Sequence, residues 1–293
     1  GTVAVLPKIC VLDVSCNPRL TQEVEAGGFK ELAASLSHAV SLTTLRLQAC
    51  GLTPDSLDAL GNSLRCLPSV RELDLSCNKG LVGGLCRLSF HLPHITHLES
   101  LDLHLCCLTH TDLEALTLVV PYLRSVDVSW CKVVGGRLPL LLDALQPSVI
   151  VELRLSSCGL TTDDLRHLAE VCRRGCVSSL RVLDLSYNGS VGDAGWSALF
   201  AAGGLGSLEE ADVSLRPLTS APCSAWLSAL LGALPRMPAL ARLAMQRWTV
   251  GSQEGRQLQY STKNRNIRLE WDPDVTGWKT SSQEESQPEE EEG

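Results

Sequence analysis

Aromatic side chains are scarce in these 293 residues: six Trp, three Tyr and three Phe, or 4% of the chain. Hydrophobic residues nevertheless reach 44% and charged residues only 20%, so there is ample material for a core, and that core must be aliphatic. Long apolar runs are missing as well. The nearest to one, Ser224 to Met245, is broken by Pro235 and Pro238 and carries Arg236 and Arg242, so it does not read as a membrane span. No Cys-x-x-Cys or His-Glu-x-x-His spacing occurs, which weighs against zinc. The pairs Gly83-Gly84, Gly135-Gly136 and Gly203-Gly204 belong to no phosphate- or dinucleotide-binding pattern and read as turns before helices. The chain opens on Gly1 with neither Met nor a charged-then-apolar leader, so a piece of a longer protein is expected.

An excess of basic charge is also absent. The formal charge is −8, but six glutamates (Glu284, Glu285, Glu289, Glu290, Glu291, Glu292) fall within 281–293, which leaves residues 1–280 at −2. A nearly neutral body argues against nucleic-acid binding. The glutamate run predicts an acidic, disordered tail over 273–293, too polar to bury a core of its own.

What the chain does have is a repeat. The pattern apolar-x-x-apolar-x-apolar-x-x-Cys/Asn occurs as Ile9-Leu12-Val14-Asn17, Leu42-Leu45-Leu47-Cys50, Val70-Leu73-Leu75-Asn78 and Leu98-Leu101-Leu103-Cys106. It continues as Leu123-Val126-Val128-Cys131, Ile150-Leu153-Leu155-Cys158 and Leu180-Leu183-Leu185-Asn188. Two weaker copies follow, Leu208-Ala211-Val213 with Arg216 at the polar place and Leu240-Leu243-Met245 with Trp248. The central Leu-x-Leu alternates with period 2, as a short strand does. Helical patterns follow in several units: Phe29-Leu32-Leu36, Leu57-Leu60-Leu64, Leu113-Leu116, Leu165-Leu168-Val171 and Trp226-Leu230-Leu234. Each unit buries one face of a strand and one of a helix, and only stacked neighbours cover the remainder. The expected architecture is an α/β solenoid, a horseshoe with a parallel sheet on its concave face and helices on its convex face. It should span residues 1–272 as about nine repeats, closed by a capping strand at Ile267-Arg268-Leu269, with Trp248 and Trp271 covering that end.

Two spacings alternate along the repeats. Asn17/Leu20, Asn78/Leu81, Cys131/Val134 and Asn188/Val191 place the next apolar residue three on, whereas Cys50/Leu52, Cys106/Leu108 and Cys158/Leu160 place it two on. In this the chain resembles the ribonuclease-inhibitor type of leucine-rich repeat. The resemblance covers roughly residues 9–271 and implies the fold far more strongly than any role, because this fold serves many.

The thirteen cysteines are then unremarkable as a redox feature. Cys50, Cys106, Cys131 and Cys158 stand at the buried turn position, where a small thiol fits, and the paired cysteine caps of extracellular leucine-rich proteins are missing. Free thiols and a cytoplasmic setting are expected. Asn188-Gly189-Ser190 matches a glycosylation sequon, but its Asn is a turn residue and should be inaccessible.

Strands stacked in register turn each repeat position into a row on the concave face. One row reads Asp13, Arg46, Asp74, Asp102, Asp127, Arg154, Asp184, Asp212, Ala244, and its neighbours carry Glu72, Glu152 and Glu210 on one side and His104 with many serines on the other. With Arg242, the three rows sum to −6. Asp74, Asp102 and Asp127 fall on successive strands with no base between them and are expected to raise one another's pKa. Trp130 and Tyr187 share the next position, with Leu105 and Leu215, and are candidate contact anchors. The five histidines between 91 and 110 invite a metal, but Pro93 breaks the helix that would align His91, His94 and His97. A Ser-His-Asp triad at Ser76 or Ser129, His104 and Asp102 lacks an oxyanion hole on an open sheet.

The reading that follows is a non-catalytic, monomeric protein-interaction scaffold without cofactor, metal, nucleic acid or membrane. Its partner would present a basic surface to Glu72, Asp74, Asp102, His104, Asp127, Trp130, Glu152, Asp184, Tyr187 and Asp212. Two alternatives stay open. One is an inhibitor of a basic enzyme, as the resemblance implies. The other is a GTPase-activating leucine-rich-repeat protein, since similar repeats with a glutamate-rich tail occur there.

Overall fold

A computed structural model describes residues 6–21 and 28–271 of the chain. The expected acidic tail over 273–293 lies outside the described residues.

The main sheet has ten parallel strands, nearly all in chain order. They are β1 (Val11–Asp13), β2 (Thr44–Arg46), β3 (Glu72–Asp74), β4 (Ser100–Asp102), β5 (Ser125–Asp127), β6 (Glu152–Arg154), β7 (Val182–Asp184) and β8 (Glu210–Asp212), then β10 (Arg242–Ala244) and β12 (Arg268–Glu270). A separate parallel pair, β9 (Ala221–Pro222) and β11 (Trp248–Thr249), bridges the eighth and ninth units. The helices are α1 (Gly28–Leu36), α2 (Pro54–Leu64), α3 (Gly84–Leu88), α4 (His110–Leu116), α5 (Leu138–Leu142), α6 (Thr162–Arg173), α7 (Asp193–Ala201), α8 (Ser224–Ala233) and α9 (Ser252–Asn264). Strands stack about 4.8 Å apart whereas helices need about 8–10 Å. That mismatch bends the stack and leaves the sheet on the inner, concave side.

The five predicted helices are present, and four more stand where no pattern was read, at α3, α5, α7 and α9. The alternating spacing explains how three of them begin. Where the apolar residue follows Cys by two, a threonine comes next and caps a longer helix. Thr53, Thr109 and Thr161 each accept from the backbone N–H three residues on, and the side chains of Ser56, Asp112 and Asp164 accept in return. Asp112 also accepts from Gly83 N and Leu85 N, and Asp164 from Gly136 N and Leu138 N. One buried carboxylate thus caps its own helix and the short helix of the unit before it.

The turn after each strand sets the register. The ladder runs past the strand: Cys77, Leu105, Trp130, Ser157 and Tyr187 donate their N–H to the next repeat. These residues, like Cys16, Ala49 and Arg247, take positive φ, between 49° and 70°. The left-handed step turns the following Asn or Cys inward. Asn78 Oδ1 accepts from Cys50 N and Leu52 N, while its amide donates to the carbonyls of Leu47, Leu75 and Ser76. Asn188 repeats the arrangement on Cys158, Leu160, Leu155, Leu185 and Ser186. The alternate units use thiols, with Cys106 Sγ donating to Leu75 O and Cys131 Sγ to Leu103 O and Cys106 O. Asn188 is 2% exposed with its amide fully engaged, so the sequon is not an acceptor site.

Three expectations need correction. Trp248 does not close the C-terminal end. It is buried in an edge-to-face cluster with Trp196 and Trp226, at 6.0 and 4.9 Å between ring centroids, and its indole donates to Val213 O. Leu215 is not in the exposed row of Trp130 and Tyr187. It lacks the positive φ of that position, so its side chain is buried and Arg216 points outward instead. The serine row is not surface either: Ser76, Ser129, Ser156, Ser186 and Ser214 are buried, and several bond across strands, as Ser129 Oγ does to Ser156 N.

Two outcomes are expected. Asn188→Ala should lower the unfolding free energy by at least about 3 kcal/mol, because buried amides and carbonyls lose their partner, and exposed Asn17→Ala by about 1 kcal/mol or less. Urea titration of both variants measures this, and equal losses would contradict the buried network. All thirteen cysteines are unpaired. Burial pushes the thiols of Cys106, Cys158, Cys172 and Cys223 up to about 12. Iodoacetamide at about pH 8 should therefore alkylate exposed Cys10, Cys16, Cys66 and Cys107 and spare those four in the folded chain, read by mass spectrometry.

Candidate functional site

The register places Asp74 beside Asp102 and Asp102 beside Asp127 on the concave face. Each is also tied to its own turn. Asp74 Oδ1 accepts from Ser76 N, Asp102 from His104 N, and Asp127 from Ser129 N, all at 2.9–3.0 Å. Asp184 and Asp212 repeat this bond to Ser186 N and Ser214 N. The aspartate row therefore shapes the strand ends as well as charging the surface.

The imidazole of His104 stands among the three carboxylates. His104 Nδ1 donates to Asp102 Oδ1 at 2.7 Å and lies 3.9 Å from Asp127 Oδ2. The bond to Asp102 leads in raising the imidazole pKa above its ordinary value, burial opposes it, and the charges of Asp102, Asp127 and Asp74 add to it. Asp127 is raised too, but burial is the main cause and the charge of Asp102 a smaller one. Burial likewise leads at Asp212, ahead of the charge of Asp184. Mutual raising, expected unless a cation relieves it, is thus a lesser cause at Asp127 and Asp212, which are desolvated first and repelled second.

Further along the strip, Glu72 lies 3.3 Å from the Thr44 hydroxyl and Glu152 3.4 Å from that of Ser125. Arg154 sits in register between Asp127 and Asp184. At the C-terminal edge Arg242 grips Glu270 with two bonds, 3.0 and 2.7 Å, and Arg268 joins it. Those bonds hold the Glu270 carboxyl down at about 2. The acidic strip thus carries only the His104 imidazole against it at β3–β5 and is paired with arginines at β10–β12. Glu270 was not read from the sequence because β12 carries no repeat motif.

Trp130 is 43% exposed and meets the Tyr187 ring edge-on at 6.1 Å between centroids. Their strands are two apart, and the small, buried Ser157 between them leaves the room. The histidines do not converge: His91 faces Asp58 at 3.2 Å and His110 faces Glu114 at 3.0 Å. Asp102, His104 and Asp127 bring three donor atoms within 4.8 Å of one another, the one such grouping among the described residues. No helix among the described residues is long and apolar enough to cross a membrane.

One parallel strand per unit, a buried Asn or Cys closing the turns from Cys50 to Asn188 and helices outside define a leucine-rich-repeat solenoid. A family model described as Leucine Rich repeat matches residues 94–116 and 178–200. The ribonuclease inhibitor of Sus scrofa is 34% identical over 197 residues, 62% of this chain and 42% of that protein. The inhibitor of Mus musculus is 32% identical over 199 residues, 64% of this chain and 43% of that protein. The NACHT, LRR and PYD domains-containing protein 12 of Homo sapiens is 34% identical over 196 residues, 64% of this chain and 18% of that protein. The chain spans less than half the length of these relatives. Among solved structures, the leucine-rich repeat-containing protein LegL7 of Legionella pneumophila aligns at a TM-score of 0.52 and 18% identity, covering 92% of this chain and 85% of that one. The chain's repeats are similar to those of the ribonuclease inhibitors, in line with the resemblance read from the sequence.

The His104 pair fixes a pH dependence. Its folded pKa is raised, so the stability it contributes is complete below the unfolded value and is lost as pH rises through the folded one. An NMR titration of the His104 ring should give a midpoint above 6.5, the ordinary value, and Asp102→Asn should lower it. A midpoint that ignores Asp102→Asn would show that the pair does not form.

Proposed function

We propose that the chain is a non-catalytic, monomeric protein-interaction scaffold whose partner lies along the concave face from Glu72 to Asp212. The observation that carries this is the meeting of two features at one edge: the half-buried carboxylates of β3–β5, and the pair formed by exposed Trp130 and half-buried Tyr187 beyond the strand ends. The charges favour a partner with a basic surface and would speed encounter, while the aromatic pair supplies area that a partner can desolvate. The free thiols support a reducing, cytoplasmic setting. Similarity to two ribonuclease inhibitors favours, as a second reading, inhibition of a basic enzyme by the same face. The GTPase-activating alternative rested on the glutamate tail, outside the described residues.

Photo-crosslinkers placed at Glu72 and Asp184 should capture one and the same protein from cell extract, and crosslinkers on the outer helices at Arg166 and Arg256 should not. Trp130→Ala should weaken that complex by about 2 kcal/mol, measured by calorimetry, and added salt should slow association more than it speeds dissociation. Capture only from the helices would overturn the concave-face reading. Loss of activity of a basic ribonuclease on titration with the chain, relieved by Trp130→Ala, would select the inhibitor.

A further inference from the structure

The eighth unit departs from the rule that the other turns obey, and the departure builds a pocket. Because Leu215 turns inward without a left-handed step, Arg216 occupies the outward place at the strand's end, ahead of the exposed Pro217–Ser220 stretch. Its guanidinium reaches back across β7: Nη2 donates to Ser157 Oγ at 2.7 Å, and the group lies 5.9 Å from the Trp130 ring centroid. Lys132, from the fifth unit, arrives at the same two targets. Its ammonium donates to the same Ser157 Oγ at 2.9 Å and lies 5.9 Å from the same ring.

Two cations therefore share one neutral hydroxyl. Neither forms an ion pair among the described residues, although acids are plentiful on this protein. Burial, and after it the Arg216 charge, pulls the Lys132 pKa down. Such a pair is strained by repulsion that an anion between them would relieve. A cavity of about 390 Å³ opens at this point, lined by Lys132, Arg216, Tyr187, Ser190 and Thr219 among others. Asp193 is the one acid of the lining, and it bonds to neither base. Leu218, fully exposed on the adjoining loop, offers an apolar contact to whatever enters.

We propose that Lys132 and Arg216 form a binding site for a phosphomonoester carried on a peptide segment of a partner protein. A phosphorylated side chain brings a charge of about −1.5 to −2 at neutral pH and three acceptor oxygens, which matches two converging cations, whereas a carboxylate would leave one of them unrelieved. Arginine serves the phosphate as a fork of donors and lysine as a point charge. Tyr187 in the lining, Trp130 beside the two bases and exposed Leu218 on the adjoining loop hold the flanking residues. This site lies beside the acidic strip and does not depend on it, so a partner could show the chain a basic surface and one phosphorylated anchor.

The test uses the whole chain and three short capped peptides of one sequence, carrying phosphoserine, aspartate or serine. Binding is followed by NMR on the Trp130 indole N–H and the Arg216 side-chain N–H. The phosphoserine peptide should shift both signals saturably, and the aspartate and serine peptides should bind at least about tenfold more weakly. Arg216→Gln and Lys132→Gln, checked for fold by circular dichroism, should each weaken the phosphopeptide by about tenfold or more. Absence of a saturable shift up to about 10 mM peptide would overturn the proposal. So would phosphopeptide binding that survives both substitutions. Equal binding of the aspartate peptide would replace the phosphate by a carboxylate and overturn the assignment of chemistry.

Discussion

Every unit of this solenoid has to bend its backbone inward at the end of a strand, and the bend carries amides and carbonyls into an aliphatic core. Left unpaired there, each would cost on the order of 1–3 kcal/mol. A side chain that both accepts and donates, or a thiol that donates, resolves the problem in six successive units, from Cys50 to Asn188. Asn78 and Asn188 satisfy five backbone groups each, and the turn cysteines take carbonyls of the preceding unit. Because these bonds cross from one unit to the next, they also fix how units stack. The register of the sheet, the rows on its face and the distances between charges all descend from them.

The same turn decides what faces outward. A left-handed residue stands before the buried one, and where it is large, as at Leu105, Trp130 and Tyr187, its side chain reaches the rim, whereas the small Ser157 in the same place is covered. Where that step is missing, at Leu215, inside and outside exchange places and a guanidinium takes the rim position. The chain thereby gains a basic pocket beside an acidic strip without any change in the sheet. The aromatic cluster of Trp196, Trp226 and Trp248 lies in the core near this irregularity. The units with the weakest repeat pattern are held by the largest side chains.

The acidic strip serves two ends at once. Its aspartates accept turn amides, which anchors their orientation, and their remaining charge faces the concave space. His104 relieves the densest point, between Asp102 and Asp127, and Arg242 with Arg268 neutralises the far end through Glu270. The field a partner would meet is therefore graded along the sheet, strongest over β3–β5.

The sequence alone determined the solenoid. A period-2 apolar pair in nine units, a step near 28 residues and an Asn or Cys at the turn of seven of them are local facts, and repetition left one way to bury them. Exposure of Trp130 and the row of Asp74, Asp102 and Asp127 followed from the same register. The tertiary structure decided what depends on contact between units. Which serines sink from view and where Trp248 packs are set by neighbours 27 and 35 residues away in the chain. Lys132 and Arg216 lie 84 positions apart and meet only because one turn lacks its left-handed residue, a backbone choice that no repeat pattern records.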